Sequence, residues 1–214
     1  MAQLQPFSAR SLTLGVVAMA VVVLASNILV QYPFHFTVGG YDLADLLTWG
    51  AFTYPAAFLV TDLTNRRFGP AAARRVVFVG FCVAVVLSVA LSNPRIALAS
   101  GSAFLVAQLL DIFVFNRLRR LSWWKAPFAS SLMGSVLDTV VFFSIAFSLA
   151  FAFLGHGDDF ATGQAPLLGL LSVEAPRWIS WAIGDFSVKM LVSITLLVPY
   201  RVLMEFIRPM PVTA

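Results

Sequence analysis

The sequence predicts an all-α polytopic membrane protein with six transmembrane helices in one bundle, and composition, segment length and charge placement support this. Of its 214 residues, 60% are hydrophobic and 11% are charged, whereas soluble domains carry about 25% charged residues. A water-soluble fold of this size could not bury so much apolar surface, because it must still present a large exterior to water. We therefore expect residues 1–214 to form a single domain with lipid as its solvent.

Six apolar segments are long enough to cross the hydrocarbon core, which takes about 20 residues of helix. They cover residues 11–30, 43–61, 76–92, 96–115, 128–153 and 178–204. Pro55 interrupts the second segment, so we expect a kink or local unwinding there, because proline lacks the amide proton that a helix needs. We interpret the first segment as a retained span, because its apolar run is too long for a signal peptide.

Basic residues occupy alternate loops, and this placement predicts the orientation. With the N terminus in the cytoplasm, eleven Lys and Arg residues lie on the cytoplasmic side. Only Arg95 and Arg177 lie on the outer side, and Lys189 lies within the sixth segment. The positive-inside rule then predicts that both termini are cytoplasmic. This orientation explains the net charge of +4 better than nucleic acid binding does.

Ionisable side chains also lie inside the predicted spans, where a charge costs about 2.5–3.5 kcal/mol and usually faces a partner or a cavity. Asp111 lies late in the fourth span and Asp138 in the fifth. Asp185 and Lys189 are spaced i,i+4 in the sixth, which allows a direct ion pair. Two roles are therefore open for Asp185: it neutralises Lys189 and does nothing more, or it belongs to a solute pathway.

Structural roles compete with functional ones for the other acids as well. Asp62 lies at the cytoplasmic edge of its span and can pair with Arg66. Asp111 is close enough to the basic loop that follows it to pair with Arg117 or Arg119. Asp138 has no basic neighbour in the sequence, so a structural role explains it least well.

Amide and aromatic side chains complete the candidate polar interior. Asn27, Gln31 and Gln108 lie at membrane depth, although amides also join helices to one another. Trp49 lies in the second segment, where its ring can stack on a flat ligand or simply pack against neighbours.

The sequence contains no nucleotide-binding loop, paired metal-ligand motif or nucleophile elbow. The two histidines, His35 and His156, lie in predicted outer loops and are too few for a metal cage. We therefore expect no catalytic residues, no metal and no cofactor, and a solute pathway rather than an enzyme. A membrane-embedded enzyme remains the least favoured alternative, because acids alone could serve one.

Four blocks of residues resemble the queuosine precursor transporter family, formerly the putative vitamin uptake transporters. The first runs from Trp49 to Gly69 and continues with Ala73-Arg74-Arg75. The others, in the order typical of the family, are 95–119, 123–147 with its Asp138-Thr139 and Phe142-Phe143, and Asp185 with Lys189 and then Pro199. The resemblance covers most of the chain.

This resemblance implies import of deazaguanine precursors of a modified tRNA nucleoside, with cyano- and aminomethyl-deazaguanine as typical cargo, across the bacterial inner membrane. A flat deazaguanine offers a guanidine-like donor edge to one carboxylate, a carbonyl to a donor, and a ring to an aromatic wall. The candidate substrate-binding residues are Asp138 or Asp111 for the donor edge, Gln108, Asn27 or Lys189 for the carbonyl, Trp49 or a phenylalanine for the ring, and Asp185 as the partner of Lys189.

The expected partners distinguish a self-sufficient carrier from a subunit of a larger importer. We expect the lipid bilayer and a small deazapurine as partners, no nucleic acid, and leave a homo-oligomer open. A substrate-binding subunit of an energy-coupling-factor vitamin importer would also have six helices, but it requires an ATPase and a docking surface. The pair Ala99 and Ala103 has the small-xxx-small spacing that such docking can use, although ordinary packing uses it too.

Overall fold

The computed structural model describes residues 9–155 and 158–206. His156 and Arg208, which enter the sequence argument, lie outside the described residues. Helices dominate, with α1 Ala9–Leu29, α2 Trp49–Thr53, α3 Ala56–Phe68, α4 Pro70–Leu91, α5 Pro94–Leu118, α6 Lys125–Phe147, α7 Asp159–Thr162 and α8 Arg177–Phe206.

Two small antiparallel hairpins lie in the connections. In the first, β1 Thr37–Val38 pairs with β2 Tyr41–Asp42; in the second, β3 Gln164–Pro166 pairs with β4 Glu174–Pro176. We call the end of the bundle that carries residues 30–48 and 148–176 the hairpin end. The opposite end carries residues 66–75 and 117–125, and we call it the arginine-rich end.

Five of the described helices, α1, α4, α5, α6 and α8, are long and apolar enough to cross a membrane. The all-α membrane class is therefore confirmed. The second predicted span differs, because α2 and α3 form one helical segment that is broken at Tyr54 and Pro55. The expected interruption at Pro55 is confirmed.

The predicted bounds of the second span, 43–61, are wrong at both ends. Residues Leu43–Asp45 form a 3-10 turn, because the Asp42 side chain accepts a hydrogen bond from the Ala44 amide at 3.0 Å and caps it. Helix α3 continues to Phe68 because the basic Arg66 and Arg67 fall in its last turn, where positive charge is favourable.

The predicted fifth span, 128–153, is also too long, since α6 ends at Phe147. Ser148 is extended, and its hydroxyl caps a 3-10 helix, Leu149–Leu154. Arg95, expected to be a loop charge, is 5% exposed and donates to the carbonyl oxygens of Ile145 (2.8 Å) and Ser148 (2.7 Å). Its guanidinium therefore satisfies carbonyl groups that the end of α6 leaves unpaired.

Short connections make successive segments run in opposite directions. Gly69 alone, with φ of 83°, joins α3 to α4, and residues 92–93 join α4 to α5. Asn27 of α1 accepts a hydrogen bond from Ser88 of α4 at 3.1 Å near the hairpin end. Arg66 of α3 donates to the Tyr200 hydroxyl of α8 at 3.0 Å near the arginine-rich end. These contacts place the N-terminal end of α1 and the C-terminal end of α8 at the arginine-rich end.

Candidate functional site

A cavity of about 730 Å³ lies within the hairpin end of the bundle. Its walls come from α1, α2, α5, α6 and α8, and the loops that carry residues 44–48 and 160–169 border it. Pockets of this volume accommodate small organic molecules.

A buried lysine cluster, which we define as Tyr54, Asp138, Thr139, Asp185 and Lys189, lies at the cavity. The Lys189 ammonium is 2.6 Å from Asp138 Oδ2 and 2.5 Å from Asp185 Oδ2. The Tyr54 hydroxyl donates to Asp138 Oδ1 at 2.8 Å, and the Thr139 hydroxyl donates to Asp185 Oδ2 at 3.0 Å. Every member is therefore held by at least one polar contact to another helix.

Local sequence explains how each helix delivers its side chain. The i,i+4 spacing on α8 puts Asp185 and Lys189 on one face. The break before Pro55 lets Tyr54 point between the helices, with the Lys189 ammonium 5.0 Å from the centre of its ring. Asp138 comes from the middle of α6, 51 residues from Lys189 in the sequence.

The lysine cluster carries two carboxylates and one ammonium, a formal charge of −1. Both oxygens of Asp138 are already bonded, to Tyr54 and Lys189. Asp185 uses only its Oδ2, and among the described residues no donor is bonded to its Oδ1. Since 17% of the Asp185 side chain is exposed, this oxygen is the acceptor that remains free for a donor in the cavity.

Aromatic rings form one wall of the cavity. Phe143 and Phe147 lie with their centroids 5.9 Å apart, and Phe147 is 5.7 Å from Trp181 in an edge-on arrangement. Phe142 also lines the cavity. A flat ring can stack on such a wall, which contributes apolar burial together with a preferred geometry.

Contacts at the hairpin end hold the loops that border the cavity. The Trp181 indole donates to the Asp45 carbonyl at 2.9 Å, and the Arg177 guanidinium lies 4.3 Å above the Phe160 ring. In the loop that precedes α2, a hydrogen bond from His35 is the main reason that the pKa of the Asp42 carboxyl lies below its usual value. A charged Asp42 is thereby retained as the cap of the loop that leads into α2.

The structure brings together four of the seven predicted site residues, namely Asn27, Asp138, Asp185 and Lys189, all of which line the cavity. The other three, Trp49, Gln108 and Asp111, do not line it. Trp49 is 46% exposed and packs edge-on against Phe34, at 4.8 Å between centroids. Gln108 is buried between helices, where its side-chain oxygen accepts a hydrogen bond from Thr61 at 2.6 Å.

Asp111 belongs to a second buried group at the level of the arginine-rich end. We call Asp62 and Asp111 the carboxyl pair. They lie on the α3–α5 interface between two contacts that join these helices, Thr61 with Gln108 and Asn65 with the Ile112 carbonyl, and the two carboxyl groups are close enough to interact. The alternative in which these acids pair with arginines is wrong in the described structure. Arg66 instead donates to the Tyr200 hydroxyl and, at 2.9 Å, to the Arg119 carbonyl.

Sequence reasoning did not place Tyr54, Thr139, Phe147 or Trp181 in the site. Tyr54 had one usable signal, since it precedes the proline that breaks the second span. Thr139 is adjacent to Asp138, and no local pattern distinguishes it from other hydroxyl residues in helices. The ring of Phe147 and that of Trp181 meet only because α6 and α8 pack together.

Comparison with known proteins identifies the family of this chain. The family model described as putative vitamin uptake transporter matches residues 48–92 and 88–204. The chain belongs to this transporter family. Relatives of the chain carry the name queuosine precursor transporter, the family that the sequence blocks resemble, so this multi-pass membrane protein is a transporter and not an enzyme.

Individual relatives of this family support the assignment. The chain is 37% identical to a probable queuosine precursor transporter of Haemophilus influenzae, over 87% of this chain and 83% of that protein. It is 36% identical to the queuosine precursor transporter of Escherichia coli, with the same coverage. A probable queuosine precursor transporter of Bacillus subtilis is 28% identical over 47% of this chain and 56% of its own length. No solved structure is significantly similar to the chain.

Proposed function

We propose that this protein imports queuosine precursors, cyano- or aminomethyl-deazaguanine, across the bacterial inner membrane. The observation that carries the proposal is the lysine cluster, which presents a free carboxylate oxygen to a cavity with an aromatic wall. The names of the relatives support the same cargo. A transporter needs such a polar site inside an apolar bundle, because the substrate must be bound without exposing charge to lipid.

The six-span topology with cytoplasmic termini belongs to this proposal. The broken segment of α2 and α3 serves as the second crossing, between α1 and α4. Basic side chains cluster at the arginine-rich end, which therefore faces the cytoplasm by the positive-inside rule. The cavity then lies on the outer side of the carboxyl pair, where an incoming substrate meets it first.

The contacts follow from which atoms remain free. Asp185 Oδ1 accepts from the guanidine-like donor edge, because both oxygens of Asp138 are occupied and Asp138 mainly positions Lys189. Lys189 or the Asn27 amide donates to the ring carbonyl, and Phe142 or Phe147 packs on the ring. This proposal assigns no substrate contact to Trp49, Gln108 or Asp111, because these side chains do not line the cavity.

A self-sufficient carrier is favoured over a subunit that needs an ATPase. Ala99 and Ala103, the pair that could dock a partner, are 0% and 2% exposed and are therefore already used in packing within the bundle. The small residues let α5 approach its neighbours closely instead of presenting an open surface.

Uptake by purified protein in liposomes tests the proposal. Vesicles preloaded with unlabelled precursor should exchange it for labelled precursor from outside without ATP. Asp185→Asn should raise the substrate concentration that gives half-maximal exchange about tenfold or more, because a hydrogen bond to a charged group contributes roughly 1.5–3 kcal/mol. Asp159→Asn is the matched control, since Asp159 is exposed and lies outside the cavity lining.

The outcomes separate the candidate functions. Exchange that fails for the wild-type protein alone, but appears when an ATPase is added, would favour the importer-subunit alternative. Conversion of the precursor to a new compound in detergent would favour an enzyme. Equal effects of Asp185→Asn and Asp159→Asn would show that the substrate does not bind at the lysine cluster.

A further inference from the structure

The carboxyl pair lies outside the substrate cavity, and the proposed recognition of a deazaguanine does not use it. Asp62 comes from α3 and Asp111 from α5, and their side chains are 2% and 0% exposed. The Ser130 hydroxyl of α6 donates to Asp62 Oδ1 at 3.3 Å. Neither oxygen of Asp111 has a hydrogen-bond partner among the described residues, although both are buried.

Charged groups face the carboxyl pair from the neighbouring helices, but none forms an ion pair with it among the described residues. Arg66 is on α3 itself and Arg119 is at the end of α5, and each donates to the other's backbone carbonyl. Arg66 also lies 5.2 Å from the centre of the Phe115 ring. Tyr200 approaches from α8, where its hydroxyl accepts from Arg66. Helix α6 contributes only hydroxyl groups at this level.

Two adjacent buried carboxyl groups without a bound cation strongly disfavour being ionised at the same time, because the two charges repel and neither is solvated. A carboxylate has only acceptors, so two of them form a hydrogen bond with each other only when one carries a proton. One shared proton both removes the repulsion and supplies a donor for the oxygens of Asp111. The pair is therefore built to hold one proton.

Hydroxyl groups and a small crevice lie next to the carboxyl pair. A crevice of about 10 Å³ lies between α3, α6 and α8 and is lined by Asp62, Ser131, Ser193 and Tyr200 among others. This volume is close to that of a single water probe. Ser131, Ser135 and Asp138 recur on one face of α6, so Ser131 at the crevice is two helical turns, about 10 Å along the helix, from Asp138 of the lysine cluster.

We propose that Asp62 and Asp111 form a proton-binding site through which an inward proton gradient drives uptake of the substrate. This inference rests on the proposed carrier function. In each cycle one proton is taken from the outer solution, is shared between the two carboxyl groups, and leaves toward the arginine-rich end. The two carboxylates that remain after release are costly together, so they take up the next proton readily and the pair regains its starting charge. The net result is one proton and one substrate moved inward.

Two assays on the same proteoliposomes test this proposal. The first measures exchange of labelled for unlabelled precursor with no gradient, which needs a carrier but no driving force. The second measures accumulation when the outside is one pH unit more acidic than the lumen. One proton per substrate limits accumulation to about tenfold, because one pH unit corresponds to about 1.4 kcal/mol.

The wild-type protein should exchange precursor and should also accumulate it several-fold under the acid-outside gradient. Asp62→Asn and Asp111→Asn should keep exchange and lose accumulation, because an amide resembles a protonated carboxyl but releases no proton. Asp159→Asn, exposed at the hairpin end, is the control that should retain both. A lumenal pH dye should report acidification on addition of substrate for the wild-type protein and for this control only.

Each contrary result has a distinct meaning. If the wild-type protein exchanges precursor but ignores the pH gradient, the proton site is wrong and the carrier stands. If it does not exchange at all, the carrier proposal fails and the inference fails with it. Accumulation driven by a sodium gradient at equal pH, or retained by Asp111→Asn, would also overturn the inference.

A second measurement tests directly whether the pair holds a proton and does not depend on transport. Infrared difference spectra of the wild-type protein against Asp111→Asn, recorded in detergent at neutral pH, should contain the carbonyl band of a protonated carboxyl group. Asp159→Asn should leave this band unchanged. A spectrum with carboxylate bands alone would mean that the pair holds no proton, whatever the transport assays give.

Discussion

The lysine cluster and the carboxyl pair each bring two aspartates from different helices into the same bundle, but only one of them includes a cation. At the lysine cluster, Lys189 contacts both carboxylates and Tyr54 occupies a further oxygen. At the carboxyl pair, Ser130 is the one described donor in hydrogen-bond contact. The first group also opens onto a large cavity, whereas the second meets only a narrow crevice.

This difference indicates what buried acids of the same type can do. Carboxylates fixed by an ammonium stay charged, so they can present a permanent acceptor to a substrate. Adjacent carboxyl groups without a cation favour sharing a proton instead, and they change charge when it leaves. The same residue type thus suits recognition in one half of the bundle and proton binding in the other.

The largest expected effect comes from removing the one cation of the lysine cluster. Lys189→Met leaves Asp138 and Asp185 as adjacent buried carboxylates and should lower the free energy of unfolding in detergent by about 3–5 kcal/mol. Thermal and denaturant unfolding measure this, and uptake should be lost.

Adding Asp138→Asn to Lys189→Met provides the control for charge. The double variant carries one carboxylate and no ammonium, so most of the stability should return while uptake does not. A Lys189→Met protein as stable as the wild type would contradict the role given to the ion pairs.

A smaller effect is expected from Tyr54→Phe, which removes the hydroxyl donated to Asp138 Oδ1 and keeps the ring. Stability should fall by roughly 1.5 kcal/mol, the contribution of a hydrogen bond to a charged group. Substrate affinity, measured by exchange, should fall as well, because Asp138 is then less firmly held. Tyr32→Phe is the control, since Tyr32 is 57% exposed and lies outside the cavity lining. If Tyr54→Phe and Tyr32→Phe had the same stability and the same substrate affinity, Tyr54 would not be part of the site.

The smallest effect is expected at the carboxyl pair. Asp111→Asn should change the free energy of unfolding at neutral pH by less than about 1 kcal/mol, because the pair already holds a proton and an amide can take its place. Asp138→Asn should cost more, since it weakens the partner of Lys189. Unfolding curves for both variants under one set of conditions measure the contrast, and a reversed order would mean that the two groups have been assigned the wrong charge states.

The membrane class, five of the long helices and the break at Pro55 could be predicted because they depend on local properties, namely apolar length and the missing proline amide. The i,i+4 pairing of Asp185 with Lys189 is local in the same sense and is confirmed at 2.5 Å. Local pattern was misleading at 43–48 and 148–153, where apolar residues continue past the helix ends. Side-chain caps by Asp42 and Ser148 decide those boundaries, and hydropathy does not detect them.

By itself, then, the sequence determined that this protein lies in a membrane, which segments are apolar, and which of its residues are costly to bury there. Only the tertiary structure decided which of those residues contact one another and which of them have a cation as a partner. Lys189 meets Asp138 across 51 positions of sequence and Tyr54 meets it across 84, whereas Asp62 and Asp111 meet without a cation. Such contacts depend on how helices pack, because a partner on another helix leaves no periodic signal in the chain.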